Sequence, residues 1–237
     1  MFSFTPIGVL HSCFREKFGI PRQPGLTPAA RATLELLPPY DQPEAVRGLE
    51  GFSHLWLMFV FHGVPVGRWR PTVRPPRLGG KQRLGVFATR STFRPNPIGL
   101  SVVELESIAV RQGRVALHLK GVDVLDGTPV LDIKPYLPYA DCIPTATGGF
   151  APTAPALLPT VDFSPTAAAF CAAWSDGDLR ELIIQILQQD PRPAYERNDS
   201  TPQRYGMKLY NCDVRWEMRD GVAHVIDIVP AYRECLS

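Results

Sequence analysis

The chain has 237 residues and a net charge of +2, with 45% apolar and 20% charged residues, which is typical of a folded globular protein of one or two domains. Its 25 prolines favour strands and extended connections, and the longest apolar run, residues 55–61, is too short to cross a membrane. There is no signal-peptide pattern and no C-x-x-C pair among the five cysteines, so we expect a cytoplasmic protein with reduced thiols and no metal.

The first 141 residues carry short strand patterns separated by turns. Strands this short and evenly spaced are typical of a closed or nearly closed barrel. We therefore predict a mainly β fold that begins with a β-barrel domain over residues 4–141. The predicted strands are residues 5–13, 52–62, 85–89, 100–110, 114–120, 122–125 and 129–136.

The segment 52–62 has the strongest strand pattern. One face is wholly apolar, and the other face is mixed and ends in His54 and His62. Because both faces carry large apolar residues, we expect this strand to be buried on both sides, in a barrel, a sandwich or a subunit interface. The mixed face is the one that we expect to reach a pocket.

The C-terminal part predicts a small α+β domain over residues 164–237. Residues 142–163 form a proline-rich stretch without charge between Cys142 and Val161, which indicates a linker. Beyond it we predict helices over 166–174 and from Asp178 onward, the second with a clear apolar face. A terminal hairpin is predicted from residues 205–216 and 222–229.

Positive charge is concentrated between Gly51 and Val103, where there is no acidic residue. Arginines among glycines suit a polyanion, because guanidinium groups fork onto phosphates and glycine lets the backbone approach closely. A plain solvated loop is the alternative. The eight basic residues are Arg68, Arg70, Arg74, Arg77, Lys81, Arg83, Arg90 and Arg94.

Two further features concern binding. Two prolines bracket Arg22-Gln23 in an exposed loop, which restrains the backbone as a binding loop requires, although a surface turn would have the same pattern. The motifs G-x-G-x-x-G, H-E-x-x-H, G-x-S-x-G and a complete P-loop are all absent from the sequence. Nucleotide hydrolysis and zinc proteolysis are therefore disfavoured.

Five motifs in fixed order resemble the TsaA-like family: PRQPGL (21–26), FSHLWLMFVFH (52–62), RPPRLGG (74–80), GVFATRSTFRPNPIGLS (85–101) and DVLDGTPVLDIKPY (123–136). The motif DPRPAY (190–195) extends the resemblance into the C-terminal part. It is either a contact to the anticodon loop or a packing element against the barrel, in which Asp190 caps a turn and Tyr195 fills a gap. The resemblance implies a β-barrel methyltransferase, unrelated to the Rossmann type, that uses S-adenosylmethionine and acts as a homodimer on tRNA. Its implied substrate is N6-threonylcarbamoyladenosine at position 37, beside the anticodon, which is methylated on N6.

The resemblance also implies a set of residues that bind the cofactor. Among them, Arg22 or Arg90 suits the cofactor carboxylate, Asp123 or Asp126 suits its amino group or ribose hydroxyls, and an apolar wall such as Phe61 suits its adenine. The full set is Pro21, Arg22, Gln23, Phe61, His62, Arg90, Leu100, Asp123, Val124, Leu125 and Asp126.

Catalysis and RNA binding complete the expected site. Asn96-Pro97 resembles the start of the Asn-Pro-Pro-aromatic motif of other N6-adenine methyltransferases, whose amide accepts the N6–H hydrogen bond, and a turn is the alternative. A non-catalytic RNA-binding barrel is the alternative function, but Trp69, Phe93 and the predicted strand residue Phe87 are few for a stacking platform. The expected RNA contacts are Arg68, Arg70, Arg74, Arg77, Lys81, Arg83, Arg94, Arg192 and Tyr195.

Overall fold

The computed structural model describes residues 3–65, 67–158, 160–193, 196 and 203–231. The fold is mainly β, as predicted, and its N-terminal part contains a closed barrel. The strands of this part are β1 (Gly8–Ser12), β2 (Arg31–Leu36), β3 (His54–Val60), β4 (Thr72–Val73), β5 (Leu84–Gly85), β6 (Ile98–Arg111), β7 (Arg114–Lys120) and β8 (Thr128–Pro135).

The barrel closes through six antiparallel pairings in the order β1-β2-β7-β6-β3-β8. Alternate residues along each strand point inward, and those of β2, β3 and β7 form much of the core. Burying one leucine contributes about 1.5–3 kcal/mol. The fully buried leucines of the barrel are Leu10, Leu34, Leu55, Leu57, Leu117 and Leu119.

Strand β3 is buried on its inner face only. Leu57 and Phe59 point into the barrel, whereas Met58 and Val60 on the outer face are half-buried. The expectation of burial on both sides is therefore not met within a single chain. Gly99 makes room for the Phe59 ring, because a Cβ at Gly99 would lie 2.3 Å from Phe59 Cε2.

Two predicted strands of the barrel domain are wrong. Only Gly85 of the predicted strand 85–89 is in a strand, because the β4–β5 ladder is two residues long and a 3₁₀ turn, Val86–Ala88, follows it. Residues 122–125 form a loop rather than a strand, because the backbone turns through positive φ at Gly121 and Gly127 on either side of them.

The C-terminal part is a small α+β unit, as predicted. Its sheet has the order β10-β11-β12-β9, in which β9 runs parallel to β12, and both predicted helices are present. The side chains of Ser164 and Asp178 cap these helices by accepting backbone hydrogen bonds. The elements after the barrel are α1 (Pro138–Asp141), β9 (Val161–Phe163), α2 (Pro165–Ala173), α3 (Leu179–Gln188), β10 (Arg204–Leu209), β11 (Cys212–Arg219) and β12 (Val222–Pro230).

Two boundaries differ from the predictions for the C-terminal part. The predicted single strand 205–216 is divided by a turn at Tyr210, which has a φ of 51°, so three strands replace the predicted hairpin. Strand β9 occupies the last three residues of the predicted linker 142–163 and pairs with β12. The boundary at Tyr210 has no glycine or proline to mark it, whereas β9 lies between Pro159 and Pro165 in the sequence.

Three further findings on the described residues concern membrane spans, metal sites and cysteines. None of the described helices combines the length and apolar character that a membrane span requires. Within the same ranges, no three His, Cys, Asp or Glu side chains are grouped so that they could hold a metal ion. The four described cysteines are free, and burial raises the pKa of the Cys13 thiol to about 12. The described residues are therefore joined by packing and hydrogen bonds without disulfides.

Candidate active site

The loop 121–127, between β7 and β8, is shaped by hydroxyl groups from the barrel. Ser12 Oγ donates to the carbonyl of Val124 at 2.7 Å, and Thr128 Oγ1 donates to the carbonyl of Leu125 at 2.7 Å. Val124 is buried beneath the loop. These contacts fix the backbone on both sides of Asp123 and leave its side chain at the mouth of the barrel.

Asp123 is a desolvated carboxylate with one side-chain donor close by. Ser101 Oγ, on the inner face of β6 and 2% exposed, donates to Asp123 Oδ1 at 2.6 Å. Burial raises the pKa of Asp123 to about 6, and the Ser101 hydrogen bond and the positive charge of Arg90 partly oppose that rise. Asp123 is therefore a hydrogen-bond acceptor whose pKa lies well above the usual range of a carboxyl group.

Three loops converge around Asp123. The Arg90 guanidinium donates to Gln23 Oε1, which connects the loop after β5 with the loop that contains Pro21. The backbone N–H of Gly25 donates to the carbonyl of Gly121 at 2.8 Å and connects that same loop with the one bearing Asp123. Pro21 is buried, and Arg22 is exposed. Gln23, Arg90 and Asp123, which are far apart in sequence, thus form one polar cluster.

The end of β3 lies beside this cluster. His62 Nδ1 and Thr128 Oγ1 are 3.1 Å apart, and the same hydroxyl bonds the Leu125 carbonyl. Phe61 packs edge-to-face on Phe59, with ring centroids 5.3 Å apart, and is only half-buried. An aromatic wall and an imidazole therefore adjoin the loop of Asp123.

Asn96 lies on the turn that enters β6. Its side chain is exposed, and its carbonyl accepts from Ile98 N at 2.7 Å. The next carbonyl, that of Pro97, accepts from Phe61 N at 2.7 Å. The turn therefore joins Pro97 to Phe61 through the backbone and leaves the neighbouring Asn96 side chain exposed.

Two predicted cofactor residues lie apart from the cluster. Asp126 binds the Arg15 guanidinium and accepts from Ser12 N at 3.0 Å, so its carboxylate anchors the loop to β1. Leu100 is 54% exposed on the outer face of β6, pairing with Met58, and alternation directs it away from Ser101. Of the two aspartates, we assign Asp123 to the cluster, because the charge of Arg90 lowers its pKa, whereas Asp126 is bound by Arg15 and Ser12.

Six of the seven expected RNA-binding residues of the segment 67–94 form an exposed basic surface with aromatic rings, and the seventh, Arg94, is half-buried. Arg70 stacks over Phe93 at 5.3 Å, and Arg94 stacks over Phe87 at 5.6 Å. The expectation that Phe87 is a strand residue is wrong, because its side chain is 75% exposed on the 3₁₀ turn. Exposed basic residues of this surface are Arg68, Arg70, Arg74, Arg77, Lys81 and Arg83.

Two exposed arginines of this surface, Arg77 and Arg83, donate hydrogen bonds to the protein, and the half-buried Arg94 donates to the carbonyls of Val86 and Thr89. Arg83 donates to Thr72 Oγ1 at 2.7 Å, and Arg77 donates to the carbonyl of Thr153. Their guanidinium groups remain exposed, so each retains donors that can face solvent or a ligand.

The motif DPRPAY is placed differently from the expectation. The Arg192 guanidinium is buried and bonds Asp190 through two donors at 2.8 and 3.0 Å. This burial and pairing disfavour Arg192 as an RNA contact and favour a role of the motif within the protein. Tyr195, the other expected RNA contact of this motif, lies outside the described residues.

The cofactor-binding residues predicted from the sequence did not include Ser101, although its place on an apolar strand face could have indicated it. The inner face of β6 begins with Gly99, Ser101 and Val103, all buried. A hydroxyl on a buried face needs a hydrogen-bond partner, and this requirement marks Ser101 as a candidate neighbour of a polar group.

Comparison with known proteins gave matches over nearly the whole chain. Residues 9–142 match the model of the tRNA-methyltransferase O N-terminal domain, and residues 156–231 match that of the TrmO C-terminal domain. The chain is 49% identical to the tRNA (adenine(37)-N6)-methyltransferase of Escherichia coli strain K12, over 97% of this chain and 98% of that protein.

Two further similarities are to proteins of Pseudomonas aeruginosa. One is a putative S-adenosylmethionine-dependent methyltransferase, RcsF, of strain PAO1, which is 52% identical over 95% of this chain and 97% of that protein. The other is the crystal structure of TrmO, which matches with a TM-score of 0.79 and 45% identity over 97% of this chain and 98% of that chain.

Proposed function

The chain belongs to the tRNA-methyltransferase O family, and we propose that its site methylates N6 of N6-threonylcarbamoyladenosine, the modified adenosine at position 37 of tRNA. It is a tRNA (adenine(37)-N6)-methyltransferase, as relatives of about 50% identity are named, and it uses S-adenosylmethionine, which the name of another relative of similar identity states. The observation that carries the site assignment is the convergence of Gln23, Arg90 and Asp123 at the barrel mouth.

These residues fit the chemistry of S-adenosylmethionine. Asp123 is a desolvated carboxylate, which suits the ammonium group or the ribose hydroxyls of the cofactor. Arg90 and Arg22 suit its carboxylate, and Phe61 suits its adenine. When bound, the cofactor supplies an electrophilic methyl group on a sulfonium. We assign Asp126 to anchoring the loop, since Arg15 and Ser12 already bind its carboxylate.

Asn96 is the residue that we propose acts on the substrate nitrogen. Its exposed amide stands at the turn whose Pro97 carbonyl binds Phe61 N. The amide oxygen would accept the N6–H hydrogen bond and orient the nitrogen lone pair toward the methyl carbon, which an in-line displacement requires. This interaction matters because the carbamoyl group delocalises that lone pair.

The exposed basic surface of residues 67–94 is the proposed tRNA-binding surface. Its arginines and Lys81 can neutralise phosphates, and the exposed rings of Trp69 and Phe87 can stack on the unpaired bases of an anticodon loop. Arg192 is left out of this set because its guanidinium is buried against Asp190.

We propose that a second copy of the chain covers the outer face of β3 and β6. Met58, Val60 and Val102 are half-buried there, and Leu100 is 54% exposed, which makes an apolar face on the outside of the barrel. A homodimer would bury these side chains and the family's cofactor residue Leu100 together. We place its work in the cytoplasm, where tRNA and S-adenosylmethionine are available.

The experiment that tests the activity uses purified full-length protein, S-adenosylmethionine and tRNA from a strain that lacks this activity. After digestion, mass spectrometry should find one added methyl group on threonylcarbamoyladenosine. Matched tRNA without the threonylcarbamoyl group should remain unmodified, and Asn96→Ala should reduce the yield. Methylation of both tRNAs would contradict the proposed substrate, whereas RNA binding without donor binding would indicate a non-catalytic RNA-binding barrel.

A further inference from the structure

The segment that carries the cofactor loop, residues 13–29, is bound by the C-terminal domain. Tyr210 N donates to the carbonyl of Cys13 at 2.8 Å, and Arg15 N donates to the carbonyl of Lys208 at 3.3 Å. Lys208 N in turn donates to Glu16 Oε1 at 3.0 Å. The start of the segment therefore runs along β10 and the turn that follows it.

Helix α3 holds the other end of the segment through two glutamines. Gln185 Oε1 accepts from Ala29 N at 2.8 Å, and Gln189, the C-cap residue, donates from Nε2 to the carbonyl of Leu26 at 3.2 Å. Residues four apart lie on the same face of a helix, so both amides reach the segment together. They bond backbone groups that begin three residues after Gln23.

The position of α3 is itself fixed, so the two amides have a rigid base. Its apolar side chains Leu182, Ile183 and Ile186 are at most 1% exposed. The helix ends where Asp190 adopts a φ of 46°, and the buried Arg192 guanidinium holds that carboxylate through two hydrogen bonds. The Asp-Pro-Arg part of DPRPAY thus stabilises the helix end next to Gln189.

The barrel holds the opposite side of the same loop. Gly25 N donates to the carbonyl of Gly121, two residues before Asp123. The loop with Gln23 is therefore fixed between the Asp123 loop on one side and α3 on the other. Leu26, the residue bound by Gln189, is three residues along the backbone from Gln23, which contacts Arg90.

We propose that Gln185 and Gln189 are positioning residues of the methyl-donor site, through which the C-terminal domain sets the affinity for S-adenosylmethionine. This inference rests on the proposed function. The two residues act through the backbone of residues 26–29 and touch none of the cluster residues Gln23, Arg90 and Asp123 among the contacts described. Loss of their hydrogen bonds frees the cofactor loop and weakens donor binding.

The test compares full-length wild type with Gln185→Leu, Gln189→Leu and the double variant. Titration calorimetry with S-adenosylmethionine should show a dissociation constant raised about 10-fold in the double variant. This size is expected because two neutral hydrogen bonds are removed and only part of their free energy serves to order the loop for donor binding. The KM for the donor should rise while kcat at saturating donor stays within about twofold of wild type.

Amide hydrogen exchange in the absence of S-adenosylmethionine tests the hydrogen bonds of Gln185 and Gln189 independently of activity. Amides of residues 20–30 should exchange faster in the double variant, with the barrel strands unchanged. The single variant Gln189→Lys keeps an N–H donor of similar reach, so its affinity for S-adenosylmethionine should be closer to that of wild type than the affinity of Gln189→Leu. Arg180→Ala, on the same helix but stacked on Phe163, is the matched control and should leave both readouts unchanged.

The outcomes separate the two proposals. Wild type that binds no S-adenosylmethionine would overturn the proposed function, whereas exchange that is unchanged in the double variant would overturn the positioning role by itself. A dissociation constant within twofold of wild type in the double variant would also overturn it. If the double variant does not fold, Gln189→Leu alone carries both readouts.

Discussion

Ser101 Oγ donates a 2.6 Å hydrogen bond to Asp123 Oδ1 and thereby joins the inner face of β6 to the loop at the barrel mouth. Ser101 is buried, so its hydroxyl is unavailable to solvent, and the burial of Asp123 raises the pKa of that carboxyl to about 6. The Asp123 carboxyl therefore changes from neutral to negative within a pH range in which binding can be measured.

Donor binding should weaken as the pH falls through about 6, because protonation removes the negative charge with which Asp123 attracts an ammonium group and turns one of its acceptor oxygens into a donor. Calorimetric titration of S-adenosylmethionine between about pH 5 and about pH 8 measures this dependence. Asp123→Asn should bind about 10-fold or more weakly at the upper pH and lose the dependence. An unchanged pH profile in Asp123→Asn would contradict the assignment of Asp123.

Asp123→Asn should stabilise the protein at neutral pH in the absence of donor. The native pKa of Asp123 is raised from 3.8 to about 6, so the native state binds its proton more tightly than the unfolded state does. The resulting stability is present below about pH 4 and is lost as the pH rises to about 6. Urea unfolding at pH 7 should show a gain of about 1–2 kcal/mol for the variant, with less gain at pH 4. Equal loss of stability at both pH values would contradict this reasoning.

Ser101→Ala should raise the pKa of Asp123 further, because the Ser101 hydrogen bond lowers it in the native protein. The midpoint of pH-dependent donor binding should then shift upward, and affinity at pH 7 should fall by about 3- to 10-fold. Ser107→Ala, at an exposed position of the same strand, is the control. A midpoint unchanged by Ser101→Ala would show that the hydroxyl has no influence on the carboxylate.

The barrel and both C-terminal helices were predictable because their signals are local. Alternation over 114–120 and the apolar face of α3 each fit within one element, and the strand β7 and the helix were confirmed. The turn at Tyr210 was missed because tyrosine has no turn preference, and positive φ there depends on the β10–β11 pairing.

The site was predictable only in part, because its contacts join distant segments. The family motifs included Gln23, Arg90 and Asp123, but nothing in the sequence indicates that Gln23 bonds Arg90, 67 residues away. The motif DPRPAY left open whether Arg192 contacts RNA or packs within the protein, and the pairing of Arg192 with Asp190 lies at the backbone turn where Asp190 adopts a positive φ. The bond from Gln189 to Leu26 spans 163 residues and has no signal in local composition.

Gly99→Ala should destabilise the barrel through a clash with Phe59. A Cβ there would lie 2.3 Å from Phe59 Cε2, and Phe59 also packs on the half-buried Phe61 of the candidate site. Overpacking of this kind costs about 1–3 kcal/mol, which urea unfolding can measure. Because Phe59→Leu removes the ring, the double variant should lose less stability than the sum of the two single losses. Additive losses would show that the clash is relieved by another movement.

Replacing exposed basic residues should weaken RNA binding without changing stability, whereas replacing the buried Arg192 should lower stability without changing RNA binding. Replacing the exposed Arg68, Arg74 and Lys81 by glutamine should weaken tRNA binding and reduce the slope of log Kd against log salt by about 2–3, with thermal stability unchanged.

Arg192→Gln is the matched comparison for that triple variant. It should lower stability by about 2 kcal/mol, because its guanidinium makes two hydrogen bonds to the Asp190 carboxylate in a buried setting, while the salt slope stays at the wild-type value. Filter binding at several salt concentrations, together with urea unfolding, distinguishes the two effects. A reduced salt slope in Arg192→Gln would mean that this arginine leaves Asp190 to bind RNA, and it would restore Arg192 to the set of phosphate contacts.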